Sequence, residues 1–239
     1  HKDHKYTGLT MQSATELRKL ASLVETVVAD ATAGDVYETG SWRGGTMLFM
    51  AGVFEVLDSP RHYYLFDSFE GFPKSGDTTL DRYLNRGNSN GFYKANEKDL
   101  WQAIRRLADL IRRPNLPSRF HLIKGYFEDT VPKHRADAIA ILRLDGDLYS
   151  STKVVLESLY DNVSPNGWVI IDDYHWNPPK SAVTKLAKEA TDEFRAARQI
   201  RAPMVDVGKP SWQKPRKRGP TVWSNVHATL RRIQILVVL

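Results

Sequence analysis

Four aspartates fall in two short runs, Leu142-Arg143-Leu144-Asp145-Gly146-Asp147 and Ile170-Ile171-Asp172-Asp173-Tyr174. Each run is an apolar stretch ending in acids, the form of a buried strand whose carboxyl end opens on a ligand site. Asp145 and Asp172 are 27 residues apart, about one strand–helix–strand unit, which puts the two pairs on neighbouring strand ends. Carboxylates gathered this closely repel one another unless a cation or a hydroxyl-rich ligand lies among them. Asp145, Asp172 and Asp173 offer an all-oxygen site for a hard cation, and Mg²⁺ is the natural occupant. The plainer alternative is that these acids cap helices and pair with Arg143 or Lys124.

A second group of residues suits a nucleoside cofactor. Glu38-Thr39-Gly40-Ser41-Trp42-Arg43-Gly44-Gly45 leaves a short apolar stretch at Val36-Tyr37 and enters a helical pattern over 46–57. Gly40, Gly44 and Gly45 let a backbone approach a ligand closely at a helix N-terminus. Asp67 lies 22 residues beyond Gly45 and suits an acid that accepts hydrogen bonds from ribose hydroxyls. The run lacks the second glycine of G-x-G-x-x-G, the one that admits a pyrophosphate. That favours a cofactor without one, such as S-adenosylmethionine, with its amino group facing Glu38. A turn that needs glycine for packing alone is the competing reading.

The elements that must position these residues follow from periodicity. Leu17, Leu20, Ala21, Val24 and Val28 recur at helical spacing over 13–29, and Ser13 with Glu16 forms a capping-box pattern. Strands are expected at 62–66, 120–123, 138–144 and 168–171, and helices resume near Leu100, over 152–160 and over 181–198. Ser164-Pro165-Asn166-Gly167 reads as a turn before the last of these strands. A hairpin is expected from 204–207 and the segment around Trp212. The alternation predicts an α/β fold: a doubly wound, mostly parallel sheet with helices on both faces and a C-terminal antiparallel hairpin. Residues 74–99 are polar, turn-rich and dotted with aromatics, a candidate lid over a site.

Composition narrows the classes. The chain of 239 residues has no cysteine, which excludes disulfide frameworks, thiolate metal sites and thiol nucleophiles together. No apolar run approaches the ~20 residues of a membrane span, and the expected location is the cytoplasm. The net charge of +6 is uneven: residues 1–176 carry 21 basic and 24 acidic side chains, and residues 177–239 carry 13 and 4. A nucleic-acid-binding protein using the basic tail is therefore the alternative from another class, although the acids of the site would repel a phosphate backbone.

Longer motifs tie these pieces to one family. Glu-Thr-Gly-Ser-Trp-Arg-Gly-Gly from Glu38, Asp-Ser-Phe-Glu-Gly-Phe-Pro from Asp67, Gly-Tyr-Phe-Glu-Asp-Thr from Gly125, Arg-Leu-Asp-Gly-Asp-Leu-Tyr from Arg143 and the block around Asp172-Asp173 occur in order. Together they resemble the macrocin O-methyltransferase family, sugar O-methyltransferases of macrolide and aminocoumarin biosynthesis that use S-adenosylmethionine and Mg²⁺. The resemblance implies a class I methyltransferase fold in a single domain, 1–212, followed by a basic extension, 213–239, that has no counterpart in the family pattern. It implies cofactor contacts at Glu38, Thr39, Gly40, Gly44, Asp67 and Ser68, with Tyr126 or Phe127 near the adenine. Asp145, Asp172 and Asp173 are then the metal ligands.

The chemistry agrees with that transfer. A sugar hydroxyl is a poor nucleophile at neutral pH, so a metal and a base must help remove its proton. Asp147 is the first candidate base, Asp145 the second and His175 the third. The acceptor is a small molecule or saccharide bearing a sugar hydroxyl, and a catechol-type phenol is the alternative within the same chemistry. The apolar end, 233–239, suits packing against a second subunit in a homo-oligomer.

Overall fold

The computed structural model describes residues 8–72, 93–176 and 186–215. Helix α1 (Ala14–Ala29) starts where the sequence signals it: the Ser13 hydroxyl accepts the Glu16 N–H at 3.3 Å, and the Glu16 carboxylate accepts the Ser13 N–H at 2.7 Å. Strand β1 (Asp35–Thr39) then leads through the glycine turn into α2 (Gly45–Val56), and β2 (Tyr63–Asp67) follows. Helix α3 (Glu97–Leu110) is capped by Asn96 and precedes β3 (Phe120–Lys124). A one-turn helix α4 (Phe127–Thr130), strand β4 (Ile139–Leu144), helix α5 (Tyr149–Leu159) and strand β5 (Val163–Ile171) complete the parallel part. Helix α6 (Ala187–Ala197) and the hairpin β6 (Val205–Asp206) and β7 (Pro210–Gln213) close the described chain.

The sheet order is β3-β2-β1-β4-β5-β7-β6, with β1 to β5 parallel and β7 antiparallel to both β5 and β6. Alternate residues along each strand face opposite layers. Val36, Leu65, Ile141 and Ile170 pack with α1, α2 and α3 in one core. Tyr37, Phe66, Leu142 and Ile171 pack with α5 and α6 in the other. Every residue of β4 is buried, as a central strand covered on both faces requires.

Two elements differ from the expectation. The turn expected at Ser164–Gly167 lies within β5, whose pairing with β4 jumps from Ile139↔Val163 to Ile141↔Trp168. Asn166 takes the left-handed conformation there (φ 65°), and its N–H donates to Lys214 O while Lys214 N–H donates to Gly167 O. Pairing with the chain after β7 thus supplies the bonds that an isolated turn would make internally. Helix α5 begins at Tyr149, three residues before the expected start, because Leu148 already takes the extended cap conformation and its carbonyl accepts the Thr152 N–H.

The helix expected over 181–198 is present from Ala187 to Ala197, and 181–185 lie outside the described residues. Of the candidate lid, 74–92 lie outside them too, whereas Glu97–Asp99 form the first turn of α3. Of the basic extension, 216–239 are likewise outside. No helix among the described residues is long and apolar enough to cross a membrane.

Candidate active site

The strand order reverses between β1 and β4, the place where open α/β sheets bind ligands beyond their carboxyl ends. A cleft lies there, where ligand sites of such sheets are expected. Gly40, Asp67, Ser68, Tyr126, Phe127, Asp145 and Asp147 all line it. Glu38, Thr39, Gly44, Asp172, Asp173 and His175 do not.

The cofactor side is shaped by backbone. Gly40 has φ 88°, and a Cβ on it would lie 1.7 Å from the Asp145 carbonyl oxygen, so glycine is what lets β1 and β4 end side by side. Gly44 has φ 76° as the cap of α2, and a Cβ there would meet Leu100 at 2.4 Å. For Gly44 the packing reading holds. Asp67 accepts the Trp42 N–H at 2.8 Å and the Phe69 N–H at 2.7 Å, which ties the glycine turn to the end of β2. Burial pushes its carboxyl up, and these donors partly offset that shift. Met11 and Trp42 also line the cleft; sequence spacing gave no sign of either.

The acidic side is shaped by charge. One oxygen or more from each of Asp145, Asp172 and Asp173 lies within 4.8 Å of the others. These are hard, all-oxygen donors on two adjacent strand ends, and they fit a divalent cation. Burial and Asp172 push the Asp145 carboxyl well above the ordinary range against the pull of Arg143. Asp173 is pushed up by burial, Asp147 and Asp172. Such groups are kept ionised by a nearby positive charge. Asp147 sits at φ 56°, a strained setting for a residue with a side chain, and burial with Asp145 pushes its carboxyl up to about 7. Its N–H donates to Asp173 at 3.1 Å.

Pairing with Arg143, the plainer alternative, is also present. The Arg143 side chain, 2% exposed, donates to Glu38 at 2.7 Å, to Asp145 at 2.8 Å and to Asp172. Glu38 is therefore sealed behind the cleft. Burial pushes its carboxyl up to about 8 although Arg143 pulls it down, and its second oxygen has no hydrogen-bond partner. Asp172 also accepts from Gln12 at 3.1 Å and pairs with Lys209 at 3.3 Å, and Lys209 reaches Glu16 of α1 at 3.3 Å. The local spacing hints at Arg143 alone, which shares a strand face with Glu38 and Asp172. Gln12 and Lys209 have no such signal. Lys124 pairs with Glu97 on the surface and takes no part. His175 is exposed and edge-on to Tyr174, so the structure does not bring it to the cleft.

A parallel sheet in this order with an antiparallel β7, a glycine turn after β1 and an acid ending β2 defines a class I methyltransferase. The particular family follows from comparison: the model of the macrocin-O-methyltransferases (TylF) matches residues 1–214, and the chain belongs to that family. It is 34% identical over 212 residues to the demethyldecarbamoylnovobiocin O-methyltransferase of Streptomyces niveus, covering 87% of this chain and 76% of that one. It is 38% identical over 201 residues to the 8-demethyl-8-(2,3-dimethoxy-alpha-L-rhamnosyl)-tetracenomycin-C 4'-O-methyltransferase of Streptomyces olivaceus, covering 83% and 72%. Among solved structures, the O-methyltransferase NovP superposes with a TM-score of 0.70 at 32% identity, over 84% of this chain and 80% of that one. The chain is thus an S-adenosylmethionine-dependent O-methyltransferase. Its cleft is lined by the apolar and aromatic side chains of Met11, Trp42, Tyr126 and Phe127 and by Gly40 and Asp67.

Proposed function

We propose that this enzyme, acting in the cytoplasm, methylates a sugar hydroxyl of a glycosylated small molecule, with Mg²⁺ held by Asp145, Asp172 and Asp173 and with Asp147 as the base. The observation that carries the reading is the position of Asp145, which lines the cofactor cleft and also belongs to the three-acid cluster. Cofactor and cation sites therefore share a wall, the arrangement a metal-assisted methyl transfer needs. The name of the Streptomyces olivaceus relative gives a rhamnosyl-bearing acceptor, which supports an acceptor of the same class for this chain.

Gly40, Asp67 and Ser68 hold the ribose and methionine portions of the cofactor, and Tyr126 and Phe127 flank its base. A divalent cation held by Asp145, Asp172 and Asp173 would act as a Lewis acid that lowers the pKa of the acceptor hydroxyl. Asp147 takes the hydroxyl proton, the oxygen forms its bond to the methyl carbon, and the carbon–sulfur bond breaks to leave S-adenosylhomocysteine. Tyr126, Phe127 and Trp42 keep water from the reacting atoms.

The test is release of S-adenosylhomocysteine from S-adenosylmethionine on a panel of glycosides, nucleotide-sugars and catechols, with and without EDTA. Turnover of glycosides that EDTA abolishes and Mg²⁺ restores is expected. Full activity in excess EDTA overturns the metal part, and turnover of catechols alone overturns the sugar acceptor.

A further inference from the structure

The Arg143 network has more connections than a metal site requires. Glu38 and Arg143 are direct register partners on β1 and β4, and Arg143 faces Ile170 of β5, so its side chain spans three strands from the centre one. Its NH1 donates both to Glu38 Oε1 and to Asp145 Oδ2, and its NH2 donates to Asp172 Oδ1. Burial lowers the guanidinium's pKa, and Asp172, Asp145 and Glu38 more than reverse this, so it stays charged. The planar fork fixes those oxygens relative to one another, which a lysine ammonium does not. It engages one oxygen each of Asp145 and Asp172, and the second oxygen of Asp172 pairs with Lys209 at 3.3 Å.

Glu38 belongs to the opposite half of the site. It precedes Gly40, which lines the cofactor cleft, and its Oε2 is fully buried without a partner. One buried cation thus ties a carboxylate two residues before the cleft-lining Gly40 to two carboxylates of the acidic cluster. Arg143 NH1 thus joins the strand end that carries Gly40 to Asp145 without an intervening side chain.

We infer that Arg143 is a positioning residue that couples cofactor binding to divalent-cation binding, by fixing Asp145 and Asp172 for the cation and linking them to Glu38 on the cofactor side. This rests on the function proposed above. It requires the two ligands to bind cooperatively, with the same coupling factor whichever is added first.

Calorimetric titrations with S-adenosylhomocysteine and with Mn²⁺, each in the absence and presence of the other, measure that factor without turnover. In the unmodified enzyme each ligand should tighten the other by at least about fivefold, the low end of common coupling strengths. Arg143→Lys keeps the charge but loses the fork: Mn²⁺ affinity should fall about tenfold and the coupling factor should drop toward one. Glu38→Gln keeps an acceptor for Arg143 but removes the charge of the cofactor-side link, so Mn²⁺ affinity without cofactor should stay within about threefold while the coupling factor falls. Melting curves and binding of S-adenosylhomocysteine alone report whether each variant is folded. Should Arg143→Lys fail to fold, Glu38→Gln alone decides. Coupling preserved in the folded variants overturns the role of Arg143. An unmodified enzyme that binds both ligands independently overturns it as well, leaving the proposed function standing. One that binds S-adenosylhomocysteine but no Mn²⁺ overturns the metal reading and this inference together.

Discussion

The two halves of the cleft meet at the β1–β4 junction and are built by opposite means. On the β1–β2 side the work is done by backbone: glycine conformations at Gly40 and Gly44, and main-chain donors that hold Asp67. On the β4–β5 side it is done by side-chain charge: Asp145, Asp147, Asp172 and Asp173 stand around one buried guanidinium. A backbone-built half tolerates loss of charge and fails when atoms are added. A charge-built half keeps its shape under isosteric change and fails when a carboxylate is neutralised.

This contrast is sharpest in Asp173→Ala, which removes an acid that Arg143 does not hold. It should reduce kcat by about a thousandfold or more, equivalent to about 4 kcal/mol of transition-state stabilisation, while metal-free calorimetry shows S-adenosylhomocysteine binding nearly unchanged. Leu142→Ala lies between the halves, on the fully buried strand that both share. Chemical denaturation should show a loss of about 2–5 kcal/mol, with ligand affinities of the folded fraction unchanged. Gly40→Ala attacks the other half, since its Cβ has no space against the Asp145 carbonyl. It should weaken S-adenosylhomocysteine binding by about tenfold or more, equivalent to about 1.4 kcal/mol, and weaken Mn²⁺ binding less.

The smallest effect is expected outside both halves. Ser13→Ala opens the capping box of α1 and should cost about 1 kcal/mol in thermal or denaturant unfolding. Burial raises the Glu16 carboxyl in that box, but the bonds from Ser13 and the charge of Lys209 hold it below its ordinary value. A depressed carboxylate stabilises the fold above its unfolded pKa and loses that contribution as pH falls through its folded one. The deficit of Ser13→Ala should therefore shrink in melts taken through the acidic range where Glu16 protonates.

The backbone-built half and the acids were both legible in the sequence, for different reasons. Glycines and strand-end acids are local signals, because a turn or a strand terminus needs particular residue types at fixed offsets. The fold class was legible from the same alternation, down to the hairpin that adds β7. The connections among the acids were not. Gln12 and Lys209 approach Asp172 from residues far away in the chain, and no local rule relates them. Ser164–Gly167 misled in the reverse direction: its turn chemistry is real, but pairing with Lys214 at the end of β7 draws it into the sheet. Arg143 stood in plain view as one basic residue in a strand. Only the register against Glu38 shows how many partners it serves.

Asp172 receives Gln12 from before the first helix and Lys209 from the final hairpin, so the two ends of the described chain are knotted together at a single side chain. During synthesis this contact becomes available only once the parallel strands have been made, because Lys209 follows them in the chain. Until the hairpin emerges, β5 has one neighbour in the sheet instead of two, and Asp172 lacks its second ion-pair partner. Trp212, fully buried in the core that α5 and α6 cover, is made just after Lys209, so that hydrophobic layer and the charge balance of the reaction centre are completed together.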